Sequence, residues 1–124
     1  MIEMTKLEEY LDSWVRGETS EVGLYLAMAK QAEREGYPEI ASVLRKIAME
    51  EAEHAAEALL LAKKVGTTRE NLEKMLAGEQ SAAKIRLDEA SHHGEPERTY
   101  FYTTAKDEER HAEALRGLLR RYFG

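Results

Sequence analysis

The sequence has 124 residues, 43% hydrophobic and 34% charged, which suits one domain with one core and is too apolar for a disordered chain. A formal net charge of -6 argues against nucleic acid or anionic lipid as a partner, since both are bound through Lys/Arg patches, and no apolar run approaches the ~18 residues of a membrane span. With no cysteine, disulfides, thiolate metal sites, cysteine nucleophiles and iron–sulfur clusters are excluded, and with no basic-then-apolar leader a cytoplasmic location is the default expectation.

Two prolines and eight glycines punctuate a chain otherwise filled by Ala, Leu, Glu, Lys and Arg, the composition of long helices. The first helix is predicted over roughly 4–35, with a seam of Met4, Leu7, Leu11, Trp14, Glu18, Glu21, Tyr25, Met28 and Ala32 at alternating steps of three and four. Trp14 and Met28 read as core. After Gly36-Tyr37-Pro38 comes a second helix, roughly 37–64, with Ile40, Leu44, Ile47, Glu51, His54, Ala58, Leu61 and Val65. Val65-Gly66-Thr67-Thr68 breaks it, and Thr67 with Glu70 fits a capping box opening a third helix over roughly 68–93. Its seam is less regular: Leu72, Met75 or Leu76, Glu79, Ala82 or Ala83, Arg86, Ala90. The fourth, roughly 96–122 after His93-Gly94-Glu95-Pro96, carries Phe101, another core residue, then Thr104, Glu108, His111, Leu115, Leu118 and Tyr122. The fold class is therefore all-α, a four-helix bundle of two helical hairpins, about 1–65 and 67–124, forming a single domain over 1–124.

Every apolar stripe is interrupted near its middle by a carboxylate, and in the second and fourth helices by Glu and His three residues apart. Carboxylates in a bundle interior cost several kcal/mol each unless compensated, and they repel one another. Arg86 is the only basic residue on the four seams, so ion pairs do not suffice. A pair of divalent metal ions does, because neutral imidazole and carboxylate oxygen both ligate them and residues i and i+3 share a helix face. One Glu from each of two helices plus Glu-x-x-His from each of the other two is the ligand rule of ferritin-like di-iron and di-manganese bundles. Glu18 and Glu79 supply the single carboxylates; Glu51/His54 and Glu108/His111 supply the pairs.

Level along the axis is an independent check. Gly36 lies 18 residues after Glu18 and 15 before Glu51, and Gly94 lies 15 after Glu79 and 14 before Glu108, so each hairpin has nearly equal arms at ~1.5 Å per residue. The chain also reads as two copies of one unit, Gly17-Glu18 with Glu51-x-x-His54 and Gly78-Glu79 with Glu108-x-x-His111. With 21 glutamates in 124 positions, a His has Glu three residues before it about one time in six, so the motif alone is weak. Glu89-Ala-Ser-His92 is such a match, but it lies at a helix end with no repeat counterpart and reads as helix-end charge.

Gly17-Glu18 with Tyr25, Glu35-Gly36-Tyr37-Pro38-Glu39-Ile40-Ala41 and Glu51-Ala-Glu-His54-Ala55 resemble the first half of a rubrerythrin. Leu76-Ala-Gly-Glu79 and Glu108-Glu-Arg-His111 resemble its second half. The resemblance implies a ferritin-like domain holding two iron ions, with manganese or zinc as possible substitutes, that reduces hydrogen peroxide with electrons from a rubredoxin centre. Three departures stand out. The family's rubredoxin module with its four cysteines is not in this sequence, so an external electron donor is expected. The family's additional carboxylate three residues after the second-half Glu is Ala82 here, while the repeat-equivalent position in the first half is Glu21, either a seventh ligand or a solvated or outer-shell Glu. The long crossover between the second and third helices is reduced to Gly66 and its neighbours.

In ferritin-like topology that crossover climbs some 30–40 Å, whereas about four extended residues reach only ~14 Å. Either the topology is simple up-and-down, or the bundle is completed by a domain-swapped homodimer, the expectation favoured here. The leading function is a peroxide-reducing di-iron oxidoreductase. An Fe(II)-oxidising iron-handling protein using O2, and a metal-stabilised structural bundle, are the alternatives. Tyr25, one heptad from Glu18, either donates a hydrogen bond toward the site or packs.

Overall fold

The computed structural model describes the backbone of residues 2–124 and the side chains of residues 6–124. The side chain of Met4, first on the seam, lies outside the described residues. The chain consists of α1 (Ile2–Arg34), α2 (Pro38–Leu61), α3 (Thr68–Ser91) and α4 (Glu97–Phe123), with no strand among the described residues. This is the all-α, ferritin-like four-helix class expected from the sequence. The helices form two units that divide between Val65 and Gly66: an antiparallel hairpin of α1 and α2 and another of α3 and α4. No described helix is long and apolar enough to cross a membrane.

The turn between α1 and α2 is set by Gly36, whose φ of 86° lies in the left-handed region that only glycine enters without cost. There the Tyr37 N–H donates to the Ala32 carbonyl at 2.8 Å and the Gly36 N–H to Glu33 at 3.0 Å, a Schellman motif. Pro38 then occupies the first turn of α2, where its missing N–H costs nothing. α2 closes with the same motif, but the left-handed residue is Lys63, φ 57°, and not a glycine. Its N–H donates to Leu60 at 3.1 Å and that of Lys64 to Leu59 at 3.0 Å. The helix therefore stops at Leu61, about one turn before the end expected from Gly66. Thr67 caps α3 as expected: its hydroxyl oxygen accepts from the Glu70 N–H at 3.2 Å. The reciprocal bond of the capping box takes another form, because the Thr67 hydroxyl itself donates to the Glu70 carboxylate at 2.8 Å.

Within each hairpin the helices touch through alanines. Ala41, Ala48 and Ala55 recur at heptad spacing on α2 and are buried, with Ala58 and, from α1, Ala29. Ala83 and Ala90 on α3 and Ala105 and Ala112 on α4 do the same in the second hairpin. Small side chains let two helix axes approach toward the short end of the ~8–10 Å range. The large apolar residues lie on the flanking faces. Trp14, expected in the core, is 63% exposed, Met28 is 38% exposed, and Phe101 is half-buried. The physical reason is that a side chain too large for the alanine line stays at the surface of its own hairpin.

Candidate metal centre

Equal arms and close axes bring the predicted ligands together in two groups. In the first hairpin Glu18 from α1 meets Glu51 and His54 from α2; in the second, Glu79 from α3 meets Glu108 and His111 from α4. In each group one ligand atom per residue lies within 4.8 Å of the others. The single carboxylate is the sheltered member. The Glu18 side chain is 5% exposed and that of Glu79 17%, against 62% for His54 and 55% for His111. In both, the imidazole Nδ1 leans on that carboxylate, 3.4 Å from Glu18 Oε1 and 3.3 Å from Glu79 Oε2.

Whether these residues suit a metal can be judged from their unmet needs. Glu18 Oε2 is buried with no hydrogen-bond partner. Burying an unsatisfied acceptor costs about 1–3 kcal/mol, more when it is charged, so an atom in that position is informative. In the second hairpin the Glu79 and Glu108 carboxyls face each other, with ligand oxygens within 4.8 Å. Hydrogen bonding toward Glu79 is the main reason the Glu108 carboxyl is held above its ordinary value; burial and the Glu79 charge add to it, while His111 and Arg86 oppose it. An oxygen lacking a partner in one hairpin and two carboxyls set face to face in the other are both what a divalent cation would resolve. Carboxylates with one imidazole form a donor set that suits iron, manganese or zinc.

Glu21 lines the same cleft as Glu18, Glu51 and His54, together with Ser13, Trp14 and Gly17, but is exposed and stands outside the three-ligand group. Tyr25 is half-buried and does not line that cleft. At the second-half position equivalent to Glu21, Ala82 offers no donor. Glu89 pairs with Arg86 at 2.9 Å, and His92 Nδ1 donates to the Asp88 carbonyl at 2.7 Å, so the Glu89-x-x-His92 match is spent on helix-end bonds. The equal arms of the second hairpin put Glu79 level with Glu108 in the sequence, and the structure brings their ligand oxygens within 4.8 Å.

Comparison with known proteins agrees with this geometry. The family model described as rubrerythrin matches residues 9–119. An uncharacterised protein of Methanocaldococcus jannaschii is 46% identical over 124 residues, covering 96% of this chain and 88% of that protein. Reverse rubrerythrin-1 of Clostridium acetobutylicum is 44% identical over 113 residues, covering 86% of this chain and 62% of that protein. The chain thus spans under two thirds of the latter's length.

Proposed function

The chain belongs to the rubrerythrin family, and we propose that it is a di-iron oxidoreductase that reduces hydrogen peroxide to water with electrons from an external donor of rubredoxin type. Glu18, Glu51 and His54 would hold one iron and Glu79, Glu108 and His111 the other. The bound iron pair would supply the two electrons that, with two protons, convert H2O2 to two waters. The observation that carries the reading is the buried Glu18 Oε2 without a partner, in a chain that twice brings Glu, Glu and His together.

The protein's own part follows from its geometry. Burial of Glu18 and Glu79 fixes the carboxylates before any cation arrives, so little ordering remains to be done on binding. Carboxylate ligands must be ionised to face a cation, and the Glu108 carboxyl is held above its ordinary value, so loading of the second group is favoured by higher pH. The more exposed imidazoles of His54 and His111 leave the centre approachable by a molecule as small as peroxide.

The same proposal includes a homodimer in which α1–α2 of one copy meets α3–α4 of the other. Each hairpin alone leaves large seam side chains in water: Trp14, Ile40 and Leu61 in the first, Met75, Leu118 and Tyr122 in the second. The link from Ala62 to Thr67 spans at most about 25 Å, short of the ~36 Å length of a 24-residue helix that a parallel α2 and α3 would need. A mass near 28 kDa in solution, twice 14.1 kDa, supports the exchange; a monomer that still binds two metals overturns it.

Activity is tested by anaerobic iron loading followed by parallel addition of H2O2 and O2, with absorbance following oxidation of the pair. Faster oxidation by peroxide, and turnover when a reductant is present, support the proposal. Preference for O2 with accumulation of ferric mineral would replace it with an iron-handling role.

A further inference from the structure

The internal repeat makes the two ligand groups look interchangeable, yet what surrounds them differs. Three residues after the single carboxylate, the first hairpin has Glu21 and the second Ala82; seven residues after it, the first has Tyr25 and the second Arg86. The cleft around the first group is lined by three carboxylates, Glu18, Glu21 and Glu51, and by no cation. In the second hairpin Arg86 is held in place, its guanidinium 5.8 Å from the Phe101 ring centre and 2.9 Å from Glu89. Phe101 lies one heptad before Glu108 on α4, and Arg86 lies one heptad after Glu79 on α3.

The groups also differ in what they want. Glu18 Oε2 is buried and unpartnered, so a cation there satisfies an atom that nothing else satisfies. Among the described residues no carboxylate oxygen of the second group is buried without a partner, so a cation there answers no such need. Ligand charge count, a nearby fixed cation and the buried unpartnered oxygen all act in one direction.

Resting on the di-metal reading above, we propose that the two hairpins seat their metal ions unequally: the α1–α2 hairpin takes the first ion, with Glu21 adding to its affinity, and the α3–α4 hairpin takes the second against the fixed charge of Arg86. Loading is then sequential, and Arg86 and Glu21 are positioning residues that separate the two steps. The expected separation is at least tenfold in dissociation constant, equivalent to ~1.4 kcal/mol.

The test is anaerobic titration of the full metal-free chain with Co(II), read by its visible ligand-field bands and by competition with a chelator. The expected result is two steps per chain. His54→Ala removes the tight step and His111→Ala the weak one. Arg86→Leu tightens the second step and Glu21→Ala weakens the first, each still binding two ions, with far-ultraviolet circular dichroism unchanged. Two ions of equal affinity, or loss of the tight step in His111→Ala, overturn the proposal while leaving the metal centre standing. No cobalt bound at all overturns the proposal and the di-metal reading together.

Discussion

Replacing Glu108 by Gln isolates the cost of the facing carboxyls in the second hairpin. In the metal-free protein the hydrogen bond to Glu79, then burial and the Glu79 charge, hold Glu108 above 4.5. A carboxyl raised on folding binds a proton more tightly in the native state. Its stabilising contribution is therefore complete below the unfolded value and lost as pH rises through the folded one. Beyond that point two carboxylates with ligand oxygens within 4.8 Å face each other. In water-like screening, appropriate to partly exposed groups, the repulsion is about 1 kcal/mol, since 332/(80 × 4.8) is ~0.9. The amide of E108Q can donate to the Glu79 carboxylate at any pH and carries no charge. Metal-free E108Q should then exceed the wild type in stability by about 1 kcal/mol at pH 7, some 3–5 °C in Tm, with the gap closing toward pH 4. Metal reverses the order: at a hundredfold excess over Kd the wild type gains ~2.7 kcal/mol and the variant, lacking a carboxylate ligand, gains less. Thermal melts by circular dichroism, with chelator or with Co(II), at one protein concentration and pH 4 to 8, read both effects. Equal metal-free stability at pH 7, or a gap that widens toward acid, refutes the reasoning.

Glu18→Leu replaces a buried carboxylate, one of whose oxygens has no partner, by an apolar side chain of similar size; urea denaturation without metal should show a gain of about 1–3 kcal/mol, with the first hairpin's metal lost. Ala48 is fully buried one turn before Glu51, so Ala48→Leu should overpack the α1–α2 contact, cost about 1–3 kcal/mol and weaken metal binding in the first hairpin. Ala48→Gly should cost about 1 kcal/mol in helix propensity yet keep metal affinity, which separates spacing from stability in a Co(II) titration. Lys63→Gly should raise stability by up to ~1 kcal/mol in chemical denaturation, because Lys63 holds a φ of 57° that glycine adopts freely.

Much of this was legible in the sequence because it depends on periodicity and counting. Gly36 with Pro38 marks a turn, and equal arm lengths about Gly36 and Gly94 suffice to put Glu18 level with Glu51 and Glu79 level with Glu108. What was not legible depends on packing in three dimensions. The large residues at three-four spacing were read as the helix contact, whereas the contact within each hairpin runs through the alanines Ala41, Ala48 and Ala55, weak hydrophobes whose value lies in their small size. That is why Trp14 and Met28 are exposed. Lys63 illustrates a second limit: Gly66 was the residue expected to end α2, but the chain turns three residues earlier at a non-glycine, with only a modest conformational cost to oppose it.

Alanine contacts and metal ligands are linked by distance. Two carboxylates on different helices reach within 4.8 Å of each other only if the axes run close, and the heptad alanines provide that approach on both sides of the ligand level: Ala48 and Ala55 bracket Glu51 and His54, Ala105 and Ala112 bracket Glu108 and His111. Each hairpin therefore carries its own group of ligands through local contacts, formed between residues joined by one short turn. Alanine burial is a weak source of stability, because each methyl removes little apolar area from water. The larger gain resides in Trp14, Ile40, Leu61, Met75, Leu118 and Tyr122, which a hairpin alone leaves exposed. On the proposed exchange between two copies, the local contacts would determine where the ligands stand, while association would supply most of the apolar burial. Metal affinity and dimer strength would then respond to different residues, the first to the alanine line and the second to the outward-facing seam.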